Sequence, residues 1–150
     1  MPKFQTLDTE NNLKEIIKSA FDTELPINGS WGYTEALSTI IHTSDIPLIQ
    51  FEHMFASMRA YVEMNMTREK DERYGSINLT EISREELTLK EDTYHKVSYE
   101  ITAIKESTYN TFIQEYKEHY GKESFDLNLH FQKRKEATLH REVLHWFKID

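Results

Sequence analysis

The sequence predicts an α+β fold in which N-terminal helices pack on a mostly antiparallel sheet of four or five strands, with one helix inserted between strands. Two patterns indicate this fold. Apolar residues recur at helical spacing up to about residue 64, and they alternate with polar residues from about residue 76 onwards. The length of 150 residues fits one globular domain, residues 1–150, and eight Phe, eight Tyr and two Trp can fill its core.

The first predicted helix carries a continuous apolar stripe. Its members recur at intervals of three or four residues: Leu13, Ile16, Ile17, Ala20 and Phe21. Asp8 or Thr9 is predicted to cap its N-terminus by accepting hydrogen bonds from free backbone amides. The helix should end near Asp22, because Pro26 cannot continue it.

The next apolar group is ambiguous between helix and strand. Four residues have helical spacing: Ala36, Leu37, Ile40 and Ile41. This spacing favours a short helix capped by Thr34. The competing interpretation is a short strand over residues 38–41, because β-branched residues dominate there.

A central helix is predicted over about Pro47–Met64, with the proline in the first turn, where its missing amide hydrogen is not needed. Its apolar stripe is expected to be deeply buried and includes Phe51, Phe55, Met58 and Val62. The opposite row is predicted to face solvent and consists of Glu52, Ala56, Arg59 and Glu63.

Strands follow the central helix. Alternating apolar residues predict strands over residues 76–82, 86–89 and 94–104, and residues 90–94 resemble a hairpin connection. On the last of these strands, one face is predicted to carry Val97, Tyr99, Ile101 and Ala103. A further helix follows, with Ser107 as its cap and Gly121 as its stop signal.

The C-terminal part of the chain also alternates. Residues 125–131 are predicted to form a strand, and residues 133–137 a turn. Residues 137–149 fit a strand or a helix, since Leu139, Val143 and Trp146 also have helical spacing. We expect a strand because the alternating pattern precedes it.

The composition excludes several classes of protein. A net charge of −8 disfavours nucleic-acid binding, which requires a basic face. No segment is apolar enough to cross a membrane or to act as a signal peptide, so we expect a cytoplasmic protein. The chain has no cysteine and no nucleotide-binding glycine motif, and we expect neither a metal nor a cofactor.

The segment Glu24–Ala36 has the most unusual composition. It holds two of the four glycines, one of the three prolines and one of the two tryptophans. The glycines should provide positive φ angles or a close backbone approach. In the favoured interpretation, Trp31 and Tyr33 plug the core between the first two helices. In the other, they line a binding surface, with Glu24 and Tyr33 as polar groups and Trp146 near by.

The histidines suggest an alternative, hydrolase-like or metal-assisted enzyme. His140 and Glu142 would share one face of a strand, where the carboxylate could orient the imidazole, and His53 or His130 would complete the site. This hypothesis requires the side chains to converge in a concave site.

The function that we expect from the sequence is a small, acidic, non-catalytic binding or regulatory module. Its partner would be another protein or a second copy in a weak homodimer, since a terminal strand around Trp146 would need covering. A third hypothesis is a small-molecule sensor. It requires an aromatic-lined pocket among Phe51, Phe55, Tyr99 and Tyr116.

Overall fold

A five-stranded, mostly antiparallel sheet together with α-helices confirms the predicted α+β fold. The computed structural model describes residues 3–7, 12–42 and 44–150. The helices are α1 (Leu13–Phe21), α2 (Leu48–Tyr61), α3 (Glu106–His119) and α4 (Leu127–Ala137). The strands are β1 (Ile27–Gly29), β2 (Thr39–Ile41), β3 (Tyr74–Leu89), β4 (Asp92–Lys105) and β5 (Leu139–Ile149).

The order of strands across the sheet is β1-β2-β5-β4-β3. Every neighbouring pair is antiparallel except β2 and β5, which run parallel. The β5 strand therefore lies in the middle of the sheet although it comes last in the chain. Its extent, Leu139–Ile149, confirms that the segment predicted over residues 137–149 is mainly a strand and not a helix. Both α3 and α4 lie in the connection from β4 to β5.

The α1 helix has the predicted extent, but its cap differs from the predicted residues. The Asn12 side chain accepts hydrogen bonds from the amides of Lys14 and Glu15. Asp8 and Thr9 lie outside the described residues. The helix ends where Asp22 adopts a left-handed conformation, with φ of 52°.

The prediction of a helix over residues 36–41 is wrong, and the competing strand interpretation is correct. Residues 39–41 form β2, which pairs with β1 on one side and with residues 147–149 of β5 on the other. Pairing with two neighbouring strands gives the β-branched residues a favourable environment that helical spacing alone does not reveal.

The strand predicted over residues 125–131 is also wrong, since α4 begins at Leu127 and includes the predicted turn at 133–137. Asp126 caps this helix by accepting a hydrogen bond from the Leu129 amide. His130 is its buried residue and packs against the α3 rings Phe112 and Tyr116. Contact with α3 therefore overrides the alternating pattern.

The β3 and β4 strands form one long hairpin. The two strands predicted over residues 76–89 are a single strand, and Lys90 and Glu91 make the tight turn with φ angles of 50° and 73°. The turn confirms the predicted hairpin connection. The following helix starts at Glu106, so Ser107 lies in its first turn and is not its cap.

The core lies between the α1–α2 layer and one face of the sheet, which we call the inner face. The four predicted β4 residues Val97, Tyr99, Ile101 and Ala103 are all buried there. Phe51 and Phe55 of α2 are buried as predicted, and so is Val62 in the π-helical turn Val62–Met66 that continues α2, whereas Met58 is only half-buried.

The predicted solvent-facing row of α2 is instead buried. Glu52 is 0% exposed, Arg59 4% and Glu63 1%, and Ala56 is buried with them. The prediction fails because each charged group finds a partner on a neighbouring element. The helix is therefore surrounded by protein on more than one side.

Candidate functional site

The loop between β1 and β2 carries Trp31 into the core. Its indole is 1% exposed and stacks on Phe55 of α2, with ring centroids 5.7 Å apart. Gly32 has a φ of 88°, and a Cβ at this position would lie 2.1 Å from the His145 ring. Glycine is therefore required for the loop to pass directly over β5. This geometry supports the interpretation of Trp31 as a plug.

Tyr33 and Glu24 lie in different environments at the two ends of this segment. The Tyr33 hydroxyl donates to Glu63 and accepts from the Leu7 amide at 3.0 Å. Burial and the bond to Glu63 raise the pKa of Tyr33 to about 12. Glu24 is exposed and pairs with Lys18 at 2.8 Å. The structure therefore separates the exposed Glu24 from the buried Trp31 and the half-buried Tyr33.

A first group of buried charges lies beneath Tyr33. Arg59 Nε is 3.2 Å from Glu63 Oε2, and Arg141 Nη2 on β5 is 2.9 Å from Glu63 Oε1. Arg59 also donates from Nη1 to the Leu144 carbonyl at 2.9 Å, and its guanidinium lies 4.0 Å from the centre of the Tyr33 ring. The group binds α2 to the part of β5 that β2 does not pair with.

A second group surrounds Glu52. Its Oε1 accepts a hydrogen bond from Arg84 at 2.9 Å, and its Oε2 lies 2.8 Å from His95 Nδ1. The pKa of Arg84 is raised, chiefly by its hydrogen bond to Glu81 and also by its hydrogen bond to Glu52 and the negative charges of both carboxylates. Burial of the guanidinium acts in the opposite direction. Burial, and then the negative charge of Glu52, raises the pKa of the nearby Tyr99.

The second group resembles a site for proton transfer, because a carboxylate that holds His95 Nδ1 leaves Nε2 free to accept a proton. However, Glu52 is completely buried and both of its oxygens are occupied, and His95 Nε2 lies 3.7 Å from the Glu86 carboxylate. The observed contacts tie α2 to the β3–β4 hairpin with charges that compensate one another.

His145 lies fully buried in the middle of the inner face. The Thr39 hydroxyl donates to the Ser30 carbonyl at 2.7 Å, so the His145 Nε2–H must donate to Thr39 Oγ1 at 2.9 Å. Its Nδ1 has no hydrogen-bond partner among the described residues. Burial and the positive charge of Arg59 lower the pKa of His145 well below its usual range.

The four residues of the enzyme hypothesis contact separate partners. His53 Nε2 lies 3.1 Å from the Leu79 carbonyl, and His130 Nδ1 lies 3.4 Å from Glu115. His140 Nδ1 lies 3.3 Å from Glu100 rather than contacting Glu142. In the ranges 3–7, 12–42 and 44–150, no group of three or more His, Cys, Asp or Glu residues is placed to hold a metal ion.

The aromatic residues of the sensor hypothesis belong to two different clusters. Phe51, Phe55 and Tyr99 are in the main core, whereas Tyr116 packs against His130 of α4. The structure does not bring these four side chains together around one pocket.

The opposite face of the sheet, which we call the outer face, presents alternate residues of β4 and β5. The register places Trp146 beside Lys96, Leu144 beside Ser98, and Glu142 beside Glu100. Residues of the inner face alternate with them and contact α2, so these side chains point away from α1 and α2. Trp146 and Leu144 are half-buried, and Glu142 is exposed.

Trp146 is held in place by its neighbours on this face. It makes an edge-on contact with Tyr94 at 6.2 Å, and the Lys96 ammonium lies 5.3 Å from its ring. Beside this pair is a shallow groove of about 220 Å³, lined in part by Ile40, Tyr94 and Lys148. The outer face thus offers an aromatic surface with basic neighbours at one end and acidic side chains at the other.

The α3 helix contacts the sheet far from Trp146. Its residues Glu106 and Tyr109 approach Gly75, which pairs with Ile104 near the end of β4. Ile104 and Lys96 are eight positions apart on β4, so their Cα atoms lie about 26 Å apart in an extended strand. The contacts of α3 with Gly75 therefore do not cover the surface around Trp146.

Sequence reasoning identified Trp146, His140 and Glu142 but did not place all three on one exposed face of β5. It missed Arg84, His95 and Arg141, the half-buried partners of the buried carboxylates Glu52 and Glu63. Nothing in their spacing links them to α2, because the ion pairs join residues 32 to 78 positions apart in the chain. Only the pairing of strands brings them together.

Comparison of the chain with protein-family models, curated proteins and solved structures finds no match. Among the described residues, no helix is both long and apolar enough to cross a membrane.

Proposed function

We propose that the chain is a non-catalytic protein-binding module whose binding surface is the outer face of β4 and β5 around Trp146. The observation that supports this most is the partly exposed indole of Trp146 on a sheet face that points away from α1 and α2. Tryptophan is enriched among residues that dominate binding energy at protein interfaces.

The position of the surface within the sheet supports the proposal. β5 pairs with β4 along its length and with β2 at its C-terminal end, so the backbone beneath Trp146 is fixed. The aromatic contact with Tyr94 also restricts the side chain. A partner would therefore bind a largely ordered surface, which lowers the entropic cost of association.

The buried charges support a non-catalytic role. Glu52 and Glu63 each contact cationic or hydrogen-bonding partners on both carboxylate oxygens. Such ion-paired groups stabilise the contact between elements, and the carboxylates are already engaged by protein cations. The proposal includes a cytoplasmic location, consistent with the lack of cysteine, and a protein rather than a nucleic acid as the partner, consistent with the net charge of −8.

The test compares three forms of the full chain as bait in an extract of cells that make it: the parent, Trp146→Asp and Glu24→Gln. Glu24 is the matched control, because it is also an exposed side chain of the predicted binding set. We expect a stoichiometric protein, which can be an untagged copy of this chain, to be retained by the parent and by Glu24→Gln and lost with Trp146→Asp. Melting curves must show that each bait is folded.

The same set of retained proteins with all three baits would contradict the proposal. Loss of a partner with Glu24→Gln alone would instead assign binding to the loop at residues 24–36. These outcomes distinguish the two surfaces that the sequence suggested.

A further inference from the structure

The outer face carries charges of opposite sign at its two ends. Along β5, the outward side chains run Glu142, Leu144, Trp146, Lys148. Along β4, the neighbouring side chains run Glu100, Ser98, Lys96, Tyr94. Both strands therefore present an acidic group towards one end, a basic group towards the other, and less polar residues between them on β5.

This arrangement is complementary to itself. Consider two copies whose outer faces meet, with a two-fold axis midway between the two sheets and perpendicular to the strands. This axis places β5 of one copy over β5 of the other, with the two strands antiparallel. If the axis passes between Leu144 and Trp146, each Leu144 faces the indole of the other copy. Each Glu142 then faces Lys148 of the other copy, and this contact occurs twice.

Contact with a group of opposite charge would stabilise the acidic end of the outer face more than the basic end. Glu100 and Glu142 are directly opposite on neighbouring strands, and like charges at this position are destabilising. His140 lies 3.3 Å from Glu100 at the edge of this pair. At the other end, Lys148 is 3.4 Å from Asp92, and Glu85 is the register partner of Lys96. The basic charge is thus reduced but not removed.

From this layout we infer that the partner of the outer face is a second copy of this chain, bound in a symmetric antiparallel dimer. The inference rests on the proposed function, because it names the partner of the same surface. Contact between Leu144 and Trp146 provides the apolar centre of the interface, and the pairs between Glu142 and Lys148 set the orientation of the two copies.

The dimer should be weak. Four outward residues on each of two strands span about 20 Å by 10 Å, which is small beside the roughly 800 Å² per partner of a standard stable interface. We therefore expect the chain to be largely monomeric at low micromolar concentration and to dimerise only as its concentration rises.

Sedimentation equilibrium of the full chain from about 5 to 500 µM, a range set by this interface size, tests the inference. Glu142→Lys places two basic groups together twice in the dimer, and Lys148→Glu places two acidic groups together twice. We expect either change to weaken the dimer about tenfold, and the double variant Glu142→Lys/Lys148→Glu to bind within about threefold of the parent.

The matched control exchanges two neighbouring exposed charges outside the sheet, Lys122→Glu/Glu123→Lys, and should leave the dimer unchanged. Each variant must melt cooperatively, so that loss of the dimer is not loss of the fold. A parent that is monomeric up to 500 µM would overturn the inference, as would single variants as tight as the parent or a double variant no tighter than the single ones.

Failure here is distinct from failure of the proposed function. A monomeric parent that still retains a different protein through Trp146 would show a heterologous partner on the same face. A dimer that survives Trp146→Asp would show self-association through another surface, which would overturn both this arrangement and the assignment of the outer face to self-binding.

Discussion

The polar row of α2 and the outward row of β5 both place charged side chains on one face of an element, yet only the first is buried. Glu52, Arg59 and Glu63 lie in the interior, whereas Glu142 is exposed. The difference lies in their neighbours, since the α2 charges meet groups of opposite sign and Glu142 faces Glu100. Whether a charged residue is buried therefore depends on its partners more than on its periodicity.

The physical cause is the cost of removing a charge from water. An isolated buried carboxylate is strongly unfavourable, and a buried ion pair is tolerated only when both partners are well bonded. Glu63 accepts hydrogen bonds on Oε2 from Arg59 and Tyr33, and Arg141 lies 2.9 Å from its Oε1 as an ion-pair partner. The charges on the outer face have weaker partners and stay hydrated, which leaves them available to a second molecule.

The largest expected effect on stability is that of replacing Trp31, which distinguishes this buried tryptophan from the half-buried Trp146. Trp31→Ala should lower the free energy of unfolding by about 3–5 kcal/mol, because it leaves a cavity beside Phe55 and removes a stacked ring. Urea denaturation followed by circular dichroism measures this loss. An unchanged midpoint would show that the loop does not close the core and would make residues 24–36 the first place to look for a ligand.

A smaller effect tests the role of burial within one cluster. Glu52 and Glu81 both contact Arg84, but Glu52 is buried and Glu81 lies at the surface. Glu52→Gln should cost about 3 kcal/mol because it removes the buried charge that both Arg84 and His95 contact, whereas Glu81→Gln should cost less than about 1 kcal/mol. Equal losses in denaturant unfolding would mean that burial does not strengthen the contact.

A third prediction concerns acid pH and His145. Its lowered pKa in the folded chain means that the unfolded chain binds one more proton below about pH 6.5. Stability should therefore decrease as pH falls from 6.5 to 5, by up to about 1.4 kcal/mol per pH unit from this residue. His145→Gln should show a shallower dependence over that range, and parallel curves for variant and parent would contradict the assignment.

The sequence predicted the elements in which local pattern and tertiary contacts agree. α1, the apolar stripe of α2, the β3–β4 hairpin and β5 all follow their periodicity. It mispredicted β2, whose structure depends on pairing with β5, and α4, whose structure depends on packing against α3. The buried ion pairs could not be predicted, because they depend on which strands become neighbours.

The candidate surface was predicted only in part, for a related reason. The alternation in residues 139–149 fixes which residues share a face with Trp146, but not which face α2 covers. That depends on His145 and Phe147 fitting beneath the Trp31 loop, with Gly32 allowing the close approach. A glycine followed by a tyrosine in a short loop does not identify the strand that it will cross.

The smallest expected effect is on the second tryptophan. Trp146→Ala removes a half-exposed ring and its contacts with Tyr94 and Lys96, so the isolated chain should lose only about 1 kcal/mol of unfolding free energy. This should be measured below about 5 µM, where the small interface is dissociated. A loss as large as that of Trp31→Ala would mean that the outer face is part of the core.

The dependence of the melting temperature on protein concentration tests the role of Trp146 in association. If two copies bind through the outer face, mass action stabilises the folded parent, and its melting temperature should rise between 5 and 500 µM. The melting temperature of Trp146→Ala should stay constant over the same range, because the variant lacks the apolar centre of the interface. A parallel rise in both proteins would place the self-association elsewhere and leave Trp146 as an ordinary surface residue.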